Sequence, residues 1–182
     1  MNRFDLYVQA MTRLVEKYGT DEAPILDAGA KLLSDLVSHD DWLPAAFGAA
    51  SPEGYRQYLL HCDPEERFCV VSFVLMPGQK TPIHDHTVWG MVGTMRGEEL
   101  CQEYSADLNL TGEHTLRPGK VDLVSPRIGD IHAVSNPGNM IATSIHTYGA
   151  NIGTRKRHWF DPATGQTHEF ISGYHNTARS AD

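Results

Sequence analysis

Thr81-Pro82-Ile83-His84-Asp85-His86-Thr87 is the stretch on which the reading of this chain turns. His84 and His86 stand two apart. Side chains on a β-strand alternate between its faces, so this spacing sends both imidazoles to one side, close enough to share a single ion. Pro82 suits the start of a strand, because it has no N–H to give to a ladder. Such a pair alone also fits two ordinary polar residues on a strand or turn, so the flanks decide. Gly78 lies six residues before His84, and Gly97 closes the segment eleven residues after His86.

Gly-x5-His-x-His followed by that second glycine resembles the first motif of the cupin superfamily. In that motif a glutamate usually follows the second histidine by four or five positions; here those positions hold Gly90 and Met91, and no carboxylate is available. Pro126-Arg127-Ile128-Gly129-Asp130-Ile131-His132, followed by Asn136, resembles the second cupin motif with one extra residue between Pro126 and Gly129. The resemblance makes His132 a third ligand. The expected site is then three neutral imidazoles on one side of a metal, with the other side open. Open positions point to catalysis, since a structural site is closed by protein ligands.

Composition bounds the rest. A chain of 182 residues, 41% hydrophobic and 21% charged, is long enough for one sizeable core and short for two, so residues 1–182 are read as a single domain. A formal net charge of −8 argues against a nucleic-acid partner, whose footprint would be a basic stripe. No apolar run approaches bilayer length, which argues against a membrane partner, and Met1-Asn2-Arg3-Phe4-Asp5 does not open like a signal peptide. Three irregularly spaced cysteines fit a reducing compartment. A soluble, cytoplasmic protein is expected, and the oligomeric state is left open.

Residues 1–50 read as helical. Phe4, Val8, Met11, Val15 and Tyr18 mark a helix with one buried face, stopped at Gly19; Thr20 or Asp21 caps a second, whose apolar face is Ile25, Leu32, Leu33 and Leu36. From Tyr55 the character changes. Strands are expected at about 55–61, 68–76, 81–86, 89–96, 98–104, 113–117, 121–125, 131–135, 140–148 and 157–160, punctuated by Gly and Pro. The apolar run Phe68–Met76 should be buried on both faces. The predicted fold is mainly β, a cupin-like small β-barrel or double-sheet jelly roll over 55–175 with N-terminal α-helices, and a polar, flexible tail over 176–182.

Ser144-Ile145-His146-Thr147-Tyr148 carries a further constellation. On a strand Ser144, His146 and Tyr148 project to one side while Ile145 and Thr147 face the other. A hydroxyl, an imidazole and a phenol in a row can form a relay that fixes the tyrosine proton. A polar, solvated strand face is the plainer alternative.

The His84-x-His86 pair, the missing glutamate, His132 and the Ser144-x-His146-x-Tyr148 row together resemble the cysteine dioxygenase family of thiol dioxygenases, over roughly residues 40–175. The resemblance implies Fe(II) bound by His84, His86 and His132, a small-molecule thiol and O2 as reactants, and a sulfinic acid product. It makes Ser144, His146 and Tyr148 a catalytic row, with the Tyr148 hydroxyl placed to hydrogen-bond the substrate or oxygen. A third neutral histidine in place of a carboxylate leaves the ion's charge for an anionic thiolate. Imidazole suits iron.

Two departures bear on the substrate. The animal enzyme has a cysteine shortly after its His-x-His pair, crosslinked to the tyrosine; Gly90 stands in that region, so Tyr148 should keep a free phenol. That enzyme also holds its substrate carboxylate with an arginine two residues after a tyrosine. Here Tyr55 is followed by Arg56 and Gln57, and alternation puts Gln57 on the Tyr55 face. In this the chain resembles the bacterial 3-mercaptopropionate dioxygenase branch, where a glutamine takes that place and an arginine beyond the row serves the carboxylate. Arg157 matches it, with Arg155 as the fallback; an exposed ion pair is the ordinary alternative for Arg157. The resemblance favours 3-mercaptopropionate over L-cysteine, and a non-catalytic cupin that binds a metal or small ligand is the alternative from another class. The other histidines (His39, His61, His114, His158, His168 and His175) are read as surface or loop residues, the cysteines as packing residues, and Asn136 as an outer partner of a ligand. Trp89 either walls the pocket or fills the core.

Overall fold

A computed structural model of the chain describes residues 2–176. Residues 177–182 of the expected tail lie outside them, but Asn176 is anchored: its side chain exchanges two 2.9 Å hydrogen bonds with the backbone of Leu59.

The described residues form helices α1 (Arg3–Tyr18) and α2 (Glu22–Val37) and a short 3-10 turn, Ala45–Gly48. Eleven strands follow: β1 (Arg56–Cys62), β2 (Cys69–Leu75), β3 (Ile83–His84), β4 (Gly90–Arg96), β5 (Glu99–Tyr104), β6 (Leu110–Leu116), β7 (Val121–Val124), β8 (His132–Ser135), β9 (Ala142–Tyr148), β10 (Arg157–Phe160) and β11 (Thr167–Phe170). β11 was not foreseen; its short polar sequence, Thr-His-Glu-Phe, hides it. Among the described residues no helix is long and apolar enough to cross a membrane.

The strands pair as two antiparallel sheets, ordered β1-β2-β9-β4-β7 and β11-β10-β3-β8-β5-β6. The expected double sheet is therefore present, but the small barrel is not closed: β7 pairs only with β4 and β6 only with β5, so each sheet keeps its edges. β2 and β9 run through the middle of the five-stranded sheet, and all seven residues of each are buried. This is why Phe68–Met76 reads as apolar on both sides.

The two helices cover one face of that sheet. A capping box between Asn2 and Asp5 starts α1, which buries Tyr7, Met11 and Val15. α2 buries Ile25, Leu26, Leu33, Leu36 and Val37, and joins Met91, Met95 and Ile145 in one apolar core. Helix and sheet approach closely at two glycines. A Cβ at Gly29 would lie 2.8 Å from the Met91 side chain, and one at Gly93 would lie 2.9 Å from Leu33. The opposite face of β2 and β9 looks toward the six-stranded sheet, and there the polar residues gather.

Candidate metal centre and ligand pocket

Three imidazoles meet between the sheets. His84 ends β3 and sits directly opposite His132 on β8. His86 reaches the same place differently from the strand geometry expected of it, because β3 stops at His84. Beyond it the chain is held by Asp130, which accepts from the His86 backbone N–H at 3.1 Å, from His86 Nδ1 at 3.0 Å and from the Thr87 backbone at 2.9 Å. Thr87 is pinned there at φ +60°, a conformation that a threonine rarely adopts. Asp130 lies two residues before His132, so its placement could have been found by asking what faces the pair.

The ring centroids form a nearly equilateral triangle, 4.9, 4.8 and 4.8 Å on a side, and the ligand atoms lie within 4.8 Å of one another. Each Nδ1 is engaged from behind: His84 by the Pro82 carbonyl at 3.0 Å, His86 by Asp130, and His132 by the Cys101 sulfur at 3.5 Å. A carbonyl or carboxylate only accepts, so in His84 and His86 the proton sits on Nδ1 and Nε2 offers a lone pair. His86 Nε2 is buried with no hydrogen-bond partner, as fits a nitrogen that ligates a cation. Burial first, then the neighbouring imidazoles in the case of His86 and His132, holds these rings neutral, with His84 pushed down to about 4. Neutral imidazoles with outer partners are the donor set that a transition metal takes.

Along β9 the expected alternation is realised. Ile145 joins the helix core and Thr147 bonds Tyr7 of α1 at 2.6 Å, while Ser144, His146 and Tyr148 face the second sheet. Ser144 Oγ lies 2.7 Å from His146 Nε2, and His146 Nδ1 lies 2.8 Å from the Tyr148 hydroxyl. The Tyr148 ring stacks on His86 at 5.2 Å, so the row ends beside the three imidazoles. Gly90 lies opposite Tyr148, and a Cβ there would fall 2.7 Å from the phenol ring. The absence of a side chain at position 90 is what seats the tyrosine. Glu99 on β5 was missed from the sequence: it is fully buried and accepts from Ser144 Oγ at 2.8 Å. Next to Glu98 and a glycine it looks like part of a surface turn.

A narrow cavity of about 30 Å3 lies over this array; Tyr55, Gln57, Phe73, Tyr148, Arg157 and Ser172 line it with His84 and His132. Gln57 and Tyr55 share it, whereas Arg56 turns away to Glu53 at 2.7 Å. Gln57 Nε2 is already engaged, donating to Ser172 Oγ at 3.2 Å and the Gly173 carbonyl at 3.1 Å. Arg157 is not a surface ion-pair residue. It is 4% exposed, its guanidinium lies 4.6 Å over the Phe170 ring, Nη2 donates to Ser172 at 2.8 Å, and Nε has no partner. Among the described residues no carboxylate is paired with it. Arg155, the fallback, is exposed and bonds Thr87 Oγ1 at 2.9 Å outside the cavity.

Other expectations are corrected. Asn136 donates to the carbonyls of Leu75 and Met140 and staples a loop, so it orients no ligand. His158 is paired with Asp85 at 2.8 Å. Trp89 packs against the helix core and over Gly149. Cys101, His114 and Asp122 form a second group with ligand atoms within 4.8 Å, although His114 is tied to Asp122 at 3.1 Å and Cys101 leans on His132.

No family model matches the chain. Solved structures to which part of it is similar include an uncharacterized conserved protein with a double-stranded β-helix domain from Klebsiella pneumoniae, at 14% identity over 72% of this chain and 97% of that one, TM-score 0.49. A cupin superfamily protein from Desulfitobacterium hafniense matches at 16% identity over 62% and 94%, TM-score 0.47. A cupin 2 conserved barrel domain protein from Salinispora arenicola matches at 18% identity over 62% and 89%, TM-score 0.46.

Proposed function

We propose that this protein is a thiol dioxygenase that holds Fe(II) with His84, His86 and His132 and converts a small carboxylate-bearing thiol, 3-mercaptopropionate first, to its sulfinic acid. The observation that carries the proposal is a single cavity lined by His84 and His132, which converge with the buried His86, and by Tyr148 and a buried arginine without a carboxylate partner. Fe(II) would supply the electrons that make O2 reactive and open positions for thiolate and O2. The reaction needs no other co-reactant: RSH and O2 give RSO2H, with sulfur losing the four electrons that the two oxygen atoms gain.

The residues divide the remaining work. Arg157, planar and braced by Ser172, offers its guanidinium to the carboxylate, which fixes how far the sulfur reaches toward the imidazoles. Tyr148 hydrogen-bonds the reacting atoms, held in place by His146 and Ser144. Phe73 and Val134 give the cavity part of its apolar lining. No carboxylate lines the cavity, so the ammonium of L-cysteine would meet no opposite charge there. That observation favours 3-mercaptopropionate over L-cysteine. A non-catalytic metal-binding cupin would leave the Ser144, His146 and Tyr148 row without a use.

The test is oxygen uptake by chain loaded anaerobically with Fe(II), given 3-mercaptopropionate, L-cysteine and cysteamine in parallel, with sulfinate identified by mass. Uptake should be highest with 3-mercaptopropionate. Arg157→Ala should raise KM for the carboxylate thiols far more than for cysteamine. No uptake with any thiol despite stoichiometric iron would refute the activity, and an equal KM rise for all three would refute the carboxylate clamp.

A further inference from the structure

Behind Ser144 the row continues. Glu99 is fully buried, its Oε1 accepts from Ser144, and its Oε2 is buried with no partner. No cation offsets its charge; burial, opposed only by the Ser144 hydroxyl, pushes its carboxyl up to about 7. The titratable groups around it are His146 and Tyr148 on β9, reached through Ser144, and Cys101 two residues along β5.

Glu99, Ser144, His146 and Tyr148 are thus joined by three hydrogen bonds of 2.8, 2.7 and 2.8 Å. Ser144, neutral His146 and Tyr148 each carry one transferable proton, so the direction of one bond sets the others. When Glu99 is ionised it can only accept. Ser144 then donates to Glu99, His146 Nε2–H donates to Ser144, and Tyr148 donates to His146 Nδ1, leaving phenol lone pairs toward the cavity. When Glu99 Oε1 is protonated every bond reverses, and the Tyr148 O–H is free to donate into the cavity.

We propose that Glu99 is the proton acceptor at the far end of this row, a positioning residue that turns Tyr148 from acceptor to donor when a thiol binds as thiolate. This rests on the thiol reading above. The thiol S–H bond breaks and its proton joins the Tyr148 oxygen. Tyr148's own proton passes to His146 Nδ1, the Nε2 proton to Ser144, and the Ser144 proton to Glu99 Oε1. No electrons are transferred, the three intermediate groups stay neutral, and the negative charge moves from Glu99, which has no cation, to a sulfur in the cavity that holds Arg157.

The His146 tautomer reports the direction of the row without any turnover. In the full-length chain loaded with diamagnetic Zn(II), 15N NMR should place the His146 proton on Nδ1 near pH 6 and on Nε2 near pH 9, roughly bracketing the carboxyl's midpoint. Glu99→Gln should hold one tautomer throughout. Ser144→Ala, which cuts the row but keeps the carboxylate, should also abolish the switch and serves if the first variant does not fold. A pH-independent tautomer in the unaltered chain, or a switch that survives either substitution, would overturn the role of Glu99. Sulfinate formation tests the activity separately, so either reading can fail alone.

Discussion

Strand β9 has two sides that are equally buried and chemically opposite. Ile145 and Thr147 meet the helices; Ser144, His146 and Tyr148 meet the second sheet. The helix side is an apolar core that admits hydroxyls alone: Tyr7 bonds Thr147, and Thr143 Oγ1 is buried without a partner. The pocket side buries a carboxylate, three imidazoles and a guanidinium, half-buries His84, and leaves His86 Nε2, Glu99 Oε2 and Arg157 Nε unpartnered. Burial alone therefore does not mark the site. What marks it is burial of ionisable groups with atoms left unpartnered, which costs folding free energy and is expected where a bound group completes the structure.

The largest break in the comparison should come from His132→Ala. It removes one of three donors and should cost more than about 100-fold in metal affinity, above the cost of losing an outer partner, measured as metal retained after dialysis. Ile145→Ala tests the other side of the same strand. It should lower stability by about 2–5 kcal/mol in denaturant unfolding while leaving metal stoichiometry unchanged.

Acid should open the pocket side first. Burial pushes His84 down to about 4 and His146 down to about 3, from an ordinary 6.5. The unfolded chain therefore binds protons that the folded chain refuses as pH falls below 6.5, and stability drops by roughly 3 kcal/mol or more before the folded groups titrate. Glu99, pushed up to about 7, acts in the opposite sense: its contribution is present below about 4.5 and is lost as pH rises through 7. The helix side contributes only Tyr7, whose pKa is raised by burial and bears on alkaline pH alone. Amide exchange in metal-free chain at pH 5 against pH 7 should show β3, β8 and β9 losing protection before α1 and α2. The smallest effect is Tyr7→Phe, which orphans the Thr147 hydroxyl and should cost about 1–3 kcal/mol with no change in metal content.

The fold was legible in the sequence wherever a periodicity met a boundary: the two helices, the apolar β2 and the alternating β9. His84, His132, Tyr148 and Arg157, singled out from pattern and resemblance, line one cavity from four strands. What could not be read was partnership across the sheets. His86 owes its place to Asp130 forty-four residues away rather than to strand alternation. Glu99 looks like half of an exposed acidic pair until Ser144 is seen behind it. Asn136 sits in a motif that marks a ligand's neighbour, yet it serves two carbonyls of a loop. Alternation tells which residues share a face, and only the packed sheets tell what that face meets.

Three imidazoles that hold a metal with positions open to a thiolate, as proposed, should reveal themselves most directly on anaerobic Co(II) loading followed by 3-mercaptopropionate. A sulfur-to-cobalt charge-transfer band should be absent before the thiol, appear on its addition, and be lost in His132→Ala. A band present before any thiol, marking Cys101 as a ligand, or no band after saturation, would contradict the account.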